Sequence, residues 1–268
     1  MQINEQPLLS IITVCKDDLQ GLMKTYNSLR EQEDLNFDRI EWIIKDGGSI
    51  DGTVEFINDI VSNPLIVTHI VDEIDNCIYD AMNIGLKNSN GKYVQFLNSQ
   101  DIYFDTKSLS NIINVLKNGE DYLFIYGGHE DVFENGESII KNPRKINYLN
   151  WGLPTSHQAI FYNQKYKGDI KYNLNFSTSA DYQFTAEIYM RNKLIDVYII
   201  NKPIIKFFIG GNSTQKKKEL LKDCYNIQKE ILLRSNLLAI IDYIRRWLAL
   251  FFFHTFIKVY KLLRKIIK

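Results

Sequence analysis

The stretch Ile40–Thr53, IEWIIKDGGSIDGT, runs from an apolar segment through a glycine-rich polar turn into the start of a helical pattern. Ile40–Lys45 reads as a buried strand, because a short apolar run closed by turn residues has that character. Gly47 and Gly48 permit a sharp backbone turn, and Ser49 or Asp51 can cap the helical pattern of Thr53–Ser62.

The same unit recurs on both sides. Leu8–Cys15 (LLSIITVC) reads as a strand, followed by a helix over Asp17–Gln32 with Leu19, Leu22, Met23, Tyr26 and Leu29 near helical spacing. Leu65–Val71 is a third strand, Ile78–Asn88 a third helix, and Tyr93–Leu97 a fourth strand ending at Asn98-Ser-Gln-Asp101. Strands alternating with helices predict an α/β fold with a mostly parallel central sheet and flanking crossover helices. Ligands in such sheets sit beyond the carboxyl ends of the strands, so the polar residues there are candidates for one site. The second half is more mixed: Tyr122–Tyr126 and Val197–Ile200 read as strands, Tyr182–Asn192 and Lys216–Leu233 as helices.

With 268 residues, 45% hydrophobic and 24% charged, the chain is long enough to bury a large core and shows no sign of disorder. Cys15, Cys77 and Cys224 are odd in number and far apart, which argues against a disulfide framework or a paired-cysteine metal site. Net charge is zero, but seven basic residues and no acid lie in 243–268, so residues 1–242 carry a net charge of −7. That asymmetry points to an anionic partner for the tail. Met1–Pro7 has neither the basic nor the apolar region of a secretory signal, so a cytoplasmic location is expected.

Three constellations can carry chemistry. In the first, Asp46 at a strand end and the free amides at the following helix start can take a base, ribose or phosphate; a capped turn without a ligand is the alternative. In the second, Asp101 can hold a hard divalent cation on a diphosphate, or simply cap the next segment. In the third, Ser156-His157-Gln158-Ala159 precedes Asp181 beside Tyr182 and Phe184, where a carboxylate can serve as general base. Asp181 as a first-turn acid and His157 as a hydrogen-bonded structural histidine are the alternatives.

Other chemistries lack their parts. There is no Walker A sequence, no G-x-G-x-x-G after the first strand, no G-x-S-x-G and no HExxH. No nucleic-acid partner is expected.

Leu9–Val14, Glu41–Thr53, Asp75–Asn83, Gly91–Asp101, Ser156–Phe161, Ala180–Tyr182 and Gly210–Ser213 together resemble the family 2 glycosyltransferases of the GT-A fold, nearest the colanic-acid-biosynthesis type. The resemblance implies an inverting, metal-assisted transfer of a hexose-type sugar from a nucleotide-sugar donor, with a UDP-sugar favoured and a GDP-sugar the alternative. It places Thr13, Cys15, Asp46, Gly48, Ser49, Asp51, Asp75 and Asp80 around the nucleotide and donor. Asp101 takes the metal, Mg²⁺ or Mn²⁺; Asp181 is the catalytic base; Trp151, His157, Gln158 and Ser213 contact acceptor or donor. Asn98 departs from the family by standing where many relatives have the first Asp of D-x-D, and Cys77 and Gln100 replace glycines of the nearest relatives.

A GT-A domain is expected over residues 1–215 and a helical, basic, amphipathic tail over 216–268. Trp247–Ile257 is uncharged but, at eleven residues, shorter than the ~20 a membrane span needs. Beyond it Val259, Leu262, Leu263 and Ile266 fall on one helical face, and Lys258, Lys261, Lys265 and Lys268 on another. Such a helix suits the interface of an anionic membrane, the alternative being that it packs on its own domain or on a dimer partner. The protein is therefore expected as a peripheral enzyme on the inner face of the cell membrane, acting on a polyprenyl-linked glycan acceptor in surface-polysaccharide synthesis (exopolysaccharide, capsule or O-antigen). A sugar-phosphate nucleotidyltransferase, disfavoured by the missing glycine-rich loop, and a catalytically silent membrane scaffold are the rival readings.

Overall fold

The structure, a computed structural model, describes residues 6–62, 64–209 and 216–250. In the first half the elements are β1 (Leu9–Cys15), α1 (Leu19–Arg30), β2 (Ile40–Asp46), α2 (Thr53–Ser62), β3 (Val67–Val71), α3 (Ile78–Lys87) and β4 (Tyr93–Phe96). These match the strand–helix alternation read from the sequence to within two residues. The second half adds β5 (Ile102–Tyr103), α4 (Ser108–Lys117), β6 (Phe124–Val132), β7 (Ser138–Lys141), β8 (Ile160–Asn163), α5 (Gln164–Lys167), α6 (Ala180–Arg191), β9 (Tyr198–Phe208) and α7 (Lys217–Asn226).

The strands join in the order β3-β2-β1-β4-β8-β6-β9-β5, with β7 paired to β6. The four strands β3, β2, β1 and β4 are parallel, so they all end at the same edge. The sheet turns mixed at β8, which runs antiparallel to β4 with Gln95 opposite Phe161. That reversal brings the entry of β8 beside the exit of β4.

Both faces of the sheet are covered, so β1 is buried throughout rather than half-wet. Its side chains alternate: Leu9, Ile11 and Cys15 join a core with α1, α2 and α4, while Ile12 and Val14 join a second core with α3 and α6. Each such aliphatic side chain stabilises the fold by roughly 1.5–3 kcal/mol when fully buried. Gly85 lets α3 lie directly on β1, because a Cβ there would sit 2.5 Å from Ile12 Cγ2. An alanine at that position would force the helix and strand apart.

Part of the expected tail is built into the domain. Cys224 and Ile227 are buried in the same core as α6, and Asp223 accepts from Thr178 N at 3.0 Å and Thr178 Oγ1 at 2.8 Å. The helix over 236–250 is tied to the domain where Gln228 Nε2 donates to the buried Asp242 and Arg246 donates to Trp151 O. The basic face expected at Lys258–Lys268 lies outside the described residues. No described helix is long and apolar enough to cross a membrane.

Candidate active site

The carboxyl ends of β1, β2 and β4 deliver three loops to one edge, and hydrogen bonds lace them together. Asp46 closes β2 with an Asx-type turn: its Oδ2 accepts from Gly48 N at 2.9 Å and Ser49 N at 2.8 Å. Its Oδ1 takes the Ser49 hydroxyl and faces the Cys15 thiol at 3.7 Å. Gly48, at φ 83°, holds the left-handed conformation that the turn requires. Asp17 Oδ1 accepts from Ile50 N at 2.9 Å, and Asp17 N donates to Ser49 Oγ at 2.7 Å. Asp51 Oδ2 accepts from Leu19 N at 2.9 Å and its Oδ1 from Thr53 N at 3.1 Å, so it fastens the start of α1 as well as α2. The Thr53 hydroxyl, first among these donors, holds the Asp51 carboxyl below the usual carboxylate range. Asp18 caps α1 and receives the Ser99 hydroxyl from the β4 loop.

Two of the expected nucleotide residues act from inside the protein. Thr13 is fully buried: its hydroxyl donates to Leu97 O at 2.6 Å and accepts from Trp42 Nε1 at 2.8 Å. Cys15 is also buried, and burial followed by the charge of Asp46 pushes its thiol far up, so it is inert as a nucleophile. Asp75 pairs with Lys45 Nζ at 2.7 Å, where the lysine side chain is 1% exposed. Asp80 closes its own loop by accepting from Asn76 N at 3.0 Å and Asn76 Nδ2 at 2.8 Å.

At the end of β4 the residues 98–101 form a turn, with Gln100 at φ 75°, in the left-handed region that favours glycine. Its side chain fits there because Gly21 opposite has none; a Cβ on Gly21 would meet it at 2.5 Å. Asp101 is 4% exposed and accepts from Gln158 Nε2 at 2.9 Å. Burial pushes its carboxyl up to about 7, against smaller opposing effects of His157, Gln158 and the Phe208 amide. Gln158 is carried in by β8 and locked by Gln95 Nε2, which donates to Gln158 O at 2.8 Å. The preceding His157 places Nδ1 3.5 Å from Asp181 Oδ2, at the first turn of α6. Asp101, His157 and Asp181, assigned from three separate stretches of sequence, are thereby brought together.

Asn98 Oδ1 and His157 Nε2 are buried without a hydrogen-bond partner. Orphaned acceptors of this kind mark positions where a ligand or ion completes the site. Asp101 with Asn98 Oδ1 is a hard oxygen donor set that fits Mg²⁺ or Mn²⁺, which take one or two protein carboxylates and fill the remaining positions with phosphate and water. Among the described residues no three acidic, histidine or cysteine side chains converge on one point. The protein would thus hold the cation by few ligands, and a diphosphate would have to supply others.

Trp151 is drawn away from open solvent by the C-terminal helix region: Arg234 lies over its ring at 4.2 Å and Arg245 at 5.6 Å, and Arg246 donates to its carbonyl. Ser213 lies outside the described residues. A cleft of about 380 Å³ is lined by Asp80, Asn83, Lys87, Lys167, Asp169 and Lys171. It borders Asp80 but none of Asp46, Asp101 and Asp181. Lys45 and Tyr79 are site-building residues that the sequence reading passes over. A lysine in the apolar strand IEWIIK is a signal for the first. Nothing local marks Tyr79, whose hydroxyl lies by the Ala180 and Asp181 amides across the site.

The profile of the family described as Glycosyl transferase family 2 matches residues 10–197. A Mycobacterium bovis protein named "PGL/p-HBAD biosynthesis glycosyltransferase" is 26% identical over 245 residues, covering 90% of this chain and 91% of that one. Among solved structures, S. aureus TarS 1-349 in complex with UDP-GlcNAc superposes with a TM-score of 0.68 at 15% identity, over 89% of this chain and 72% of TarS 1-349. The mannosyltransferase PcManGT from Pyrobaculum calidifontis, in complex with GDP-Man and Mn²⁺, gives 0.62 at 12% identity, over 87% and 66%.

Proposed function

The chain belongs to glycosyl transferase family 2 and is a glycosyltransferase of the GT-A fold, and on that premise we propose that it is an inverting, metal-assisted enzyme with Asp181 as its base. The observation that carries the reading is the meeting of Asp101, His157 and Asp181 at the strand edge that also holds the Asp46 loop. The donor is a nucleotide sugar: UDP-GlcNAc and GDP-Man are bound by two proteins of the same fold. A UDP-sugar is the favoured donor here and a GDP-sugar the alternative.

Asp181 accepts the proton of an acceptor hydroxyl, whose oxygen attacks the anomeric carbon from the face opposite the nucleoside diphosphate. That bond forms as the bond to the diphosphate breaks, so configuration inverts. The loops of Asp17, Asp46, Ser49, Asp51 and Asp75 shape the nucleotide pocket. Asp101 and Asn98 Oδ1 would hold Mg²⁺ or Mn²⁺, and such a cation would supply positive charge against the leaving diphosphate. Gln158 and His157 border the reacting groups.

The acceptor is a polyprenyl-linked glycan of a bacterial surface polysaccharide, such as those of the colanic-acid type, met at the inner face of the membrane. Supporting that place, Leu237, Ile240, Ile241, Ile244 and Leu248 recur at helical spacing on the 236–250 helix and are 39–68% exposed. The basic residues 258–268 that follow in sequence supply attraction to anionic lipid. The reading is tested by incubating the purified protein with UDP- and GDP-sugars, Mn²⁺ and lipid-linked acceptors, and determining the anomeric configuration of the product. Inversion is expected; a product that retains the donor configuration contradicts the single-displacement assignment.

A further inference from the structure

We propose that His157 is the positioning residue of the base, its Nδ1–H facing Asp181 and fixing which lone pair of that carboxylate meets the acceptor hydroxyl. The proposal rests on the reading of Asp181 as base.

Both partners are held from behind, so their approach is not an accident of two loose side chains. On the histidine side, Ser156 N donates to His129 Nδ1 at 3.2 Å, and Thr155 Oγ1 lies 3.0 Å from the same nitrogen. His129 Nε2 in turn faces Asp131 Oδ1 at 3.4 Å. A nitrogen that accepts from a backbone N–H carries no proton, so His129 is protonated at Nε2 and its tautomer is set by its neighbours. One residue beyond His157, Gln158 is tied to Asp101 and Gln95, and Ala159 N donates to Ser156 O at 2.9 Å. The backbone through His157 is thus fixed on both sides while its ring makes no other polar bond.

On the aspartate side, Asp181 Oδ1 accepts from Tyr182 N at 2.8 Å. Thr185 Oγ1 donates to Asp181 O at 2.8 Å. That leaves Oδ2 for His157 Nδ1, at 3.5 Å. The separation is a few tenths longer than a formed hydrogen bond, and contacts of this type tighten when substrate fills the site.

The tautomer follows from what each nitrogen sees. A proton on Nε2 would be a buried donor with no acceptor, while the Nδ1 lone pair faced a carboxylate; both cost free energy. A proton on Nδ1 removes both costs, leaving Nε2 as a buried lone pair. Donated into Oδ2, the Nδ1–H occupies one lone pair and turns the remaining ones toward the acceptor. Asp181 takes up one proton per turnover from the acceptor, and His157 keeps its own.

The test has two arms. The chain has four histidines, so nitrogen-15 NMR of ¹⁵N-histidine protein gives a spectrum in which His157 is assigned by its loss in His157→Gln. The Nδ1–H, bare-Nε2 pattern is expected in wild type; an Nε2–H tautomer overturns the proposal. In kinetics, His157→Asn keeps a side-chain N–H close to the Nδ1 position and should lower kcat by less than about tenfold, whereas His157→Gln moves that donor and should lower kcat by ~100-fold. Donor affinity should stay within about twofold in both, because ground-state binding is not what is lost. Equal kcat in the two variants, or a wild-type kcat in His157→Gln, overturns it. The NMR arm needs no donor, so a protein that transferred no sugar would sink the functional reading while the dyad was still decided.

Discussion

Lys45 Nζ lies 2.7 Å from Asp75 Oδ2, with the lysine side chain 1% and the aspartate side chain 15% exposed. The ammonium also donates to Asp46 O. One buried cation therefore joins the end of β2 to the loop before α3, and the Asp46 turn to both. Removing one partner of a buried pair leaves an uncompensated charge, which costs about 3–5 kcal/mol when burial is complete and less at a partly exposed carboxylate. Asp75→Ala should lower stability by ~2 kcal/mol in urea melts and weaken nucleotide binding. The double variant Lys45→Met/Asp75→Leu should regain stability without regaining nucleotide affinity. Recovery of both would show that the pair serves the fold alone.

Asp181→Asn should lower kcat by at least ~100-fold, the usual size of a lost general base. Nucleotide affinity, read by calorimetry, should stay near wild type, since the nucleotide loops are bonded to one another and not to Asp181. A variant that keeps most of its turnover would place the base elsewhere.

Asp101 gives a pH-dependent stability difference. Its folded carboxyl is raised from the ordinary 3.8 to about 7 by burial, so the fold favours the neutral form. Without metal, wild-type stability is fullest below the unfolded value and falls as pH rises from about 4 to about 7. Asp101→Asn lacks that titration and can still accept from Gln158. Its melting temperature should exceed that of wild type by several degrees at pH 8, and the gap should close toward pH 4. A gap that is constant with pH would show that the carboxyl is not neutral when buried. The same variant should lose metal-dependent donor binding.

The 236–250 helix predicts the membrane behaviour. Ile240→Ser and Ile244→Ser change side chains that are 46% and 49% exposed, so folding should be little affected. Together they should weaken co-sedimentation with anionic vesicles by about tenfold or more. Removal of residues 244–268 should abolish it. Undiminished vesicle binding in the truncated protein would exclude this helix and the basic stretch as the contact.

The parallel half of the fold is legible in the sequence because each of its strands is a continuous apolar run stopped by a polar turn, and each helix has its own period. The neighbour of β4 is not legible in that way. Strand β8 is four residues, IFYN, too short to show a period, yet the turn that leads into it carries Gln158 to Asp101 and His157 to Asp181. The carboxylates that end the strands are visible as a set, but their bonds are not. Thr13 is placed at the pocket by the family resemblance, while its hydroxyl is spent between Leu97 O and Trp42. Trp151 reads as a sugar-binding aromatic, and only the packing of residues 234–246 shows it under two guanidinium groups. Asn98 is a departure from the family pattern in sequence, and only the structure shows that its Oδ1 is buried without a hydrogen-bond partner.

Donor binding is expected to need a nucleoside-diphosphate pocket completed by a cation at Asp101. The most direct measurement is the melting temperature of the purified protein with UDP, GDP, dTDP and CMP, each with and without Mn²⁺. A ligand at a hundred times its dissociation constant adds about 2.7 kcal/mol, which is visible as a shift. The account predicts a Mn²⁺-dependent rise with one nucleoside diphosphate, UDP before GDP, and its loss in Asp101→Asn. No rise with any of the four, or a rise that ignores both Mn²⁺ and Asp101, would contradict it.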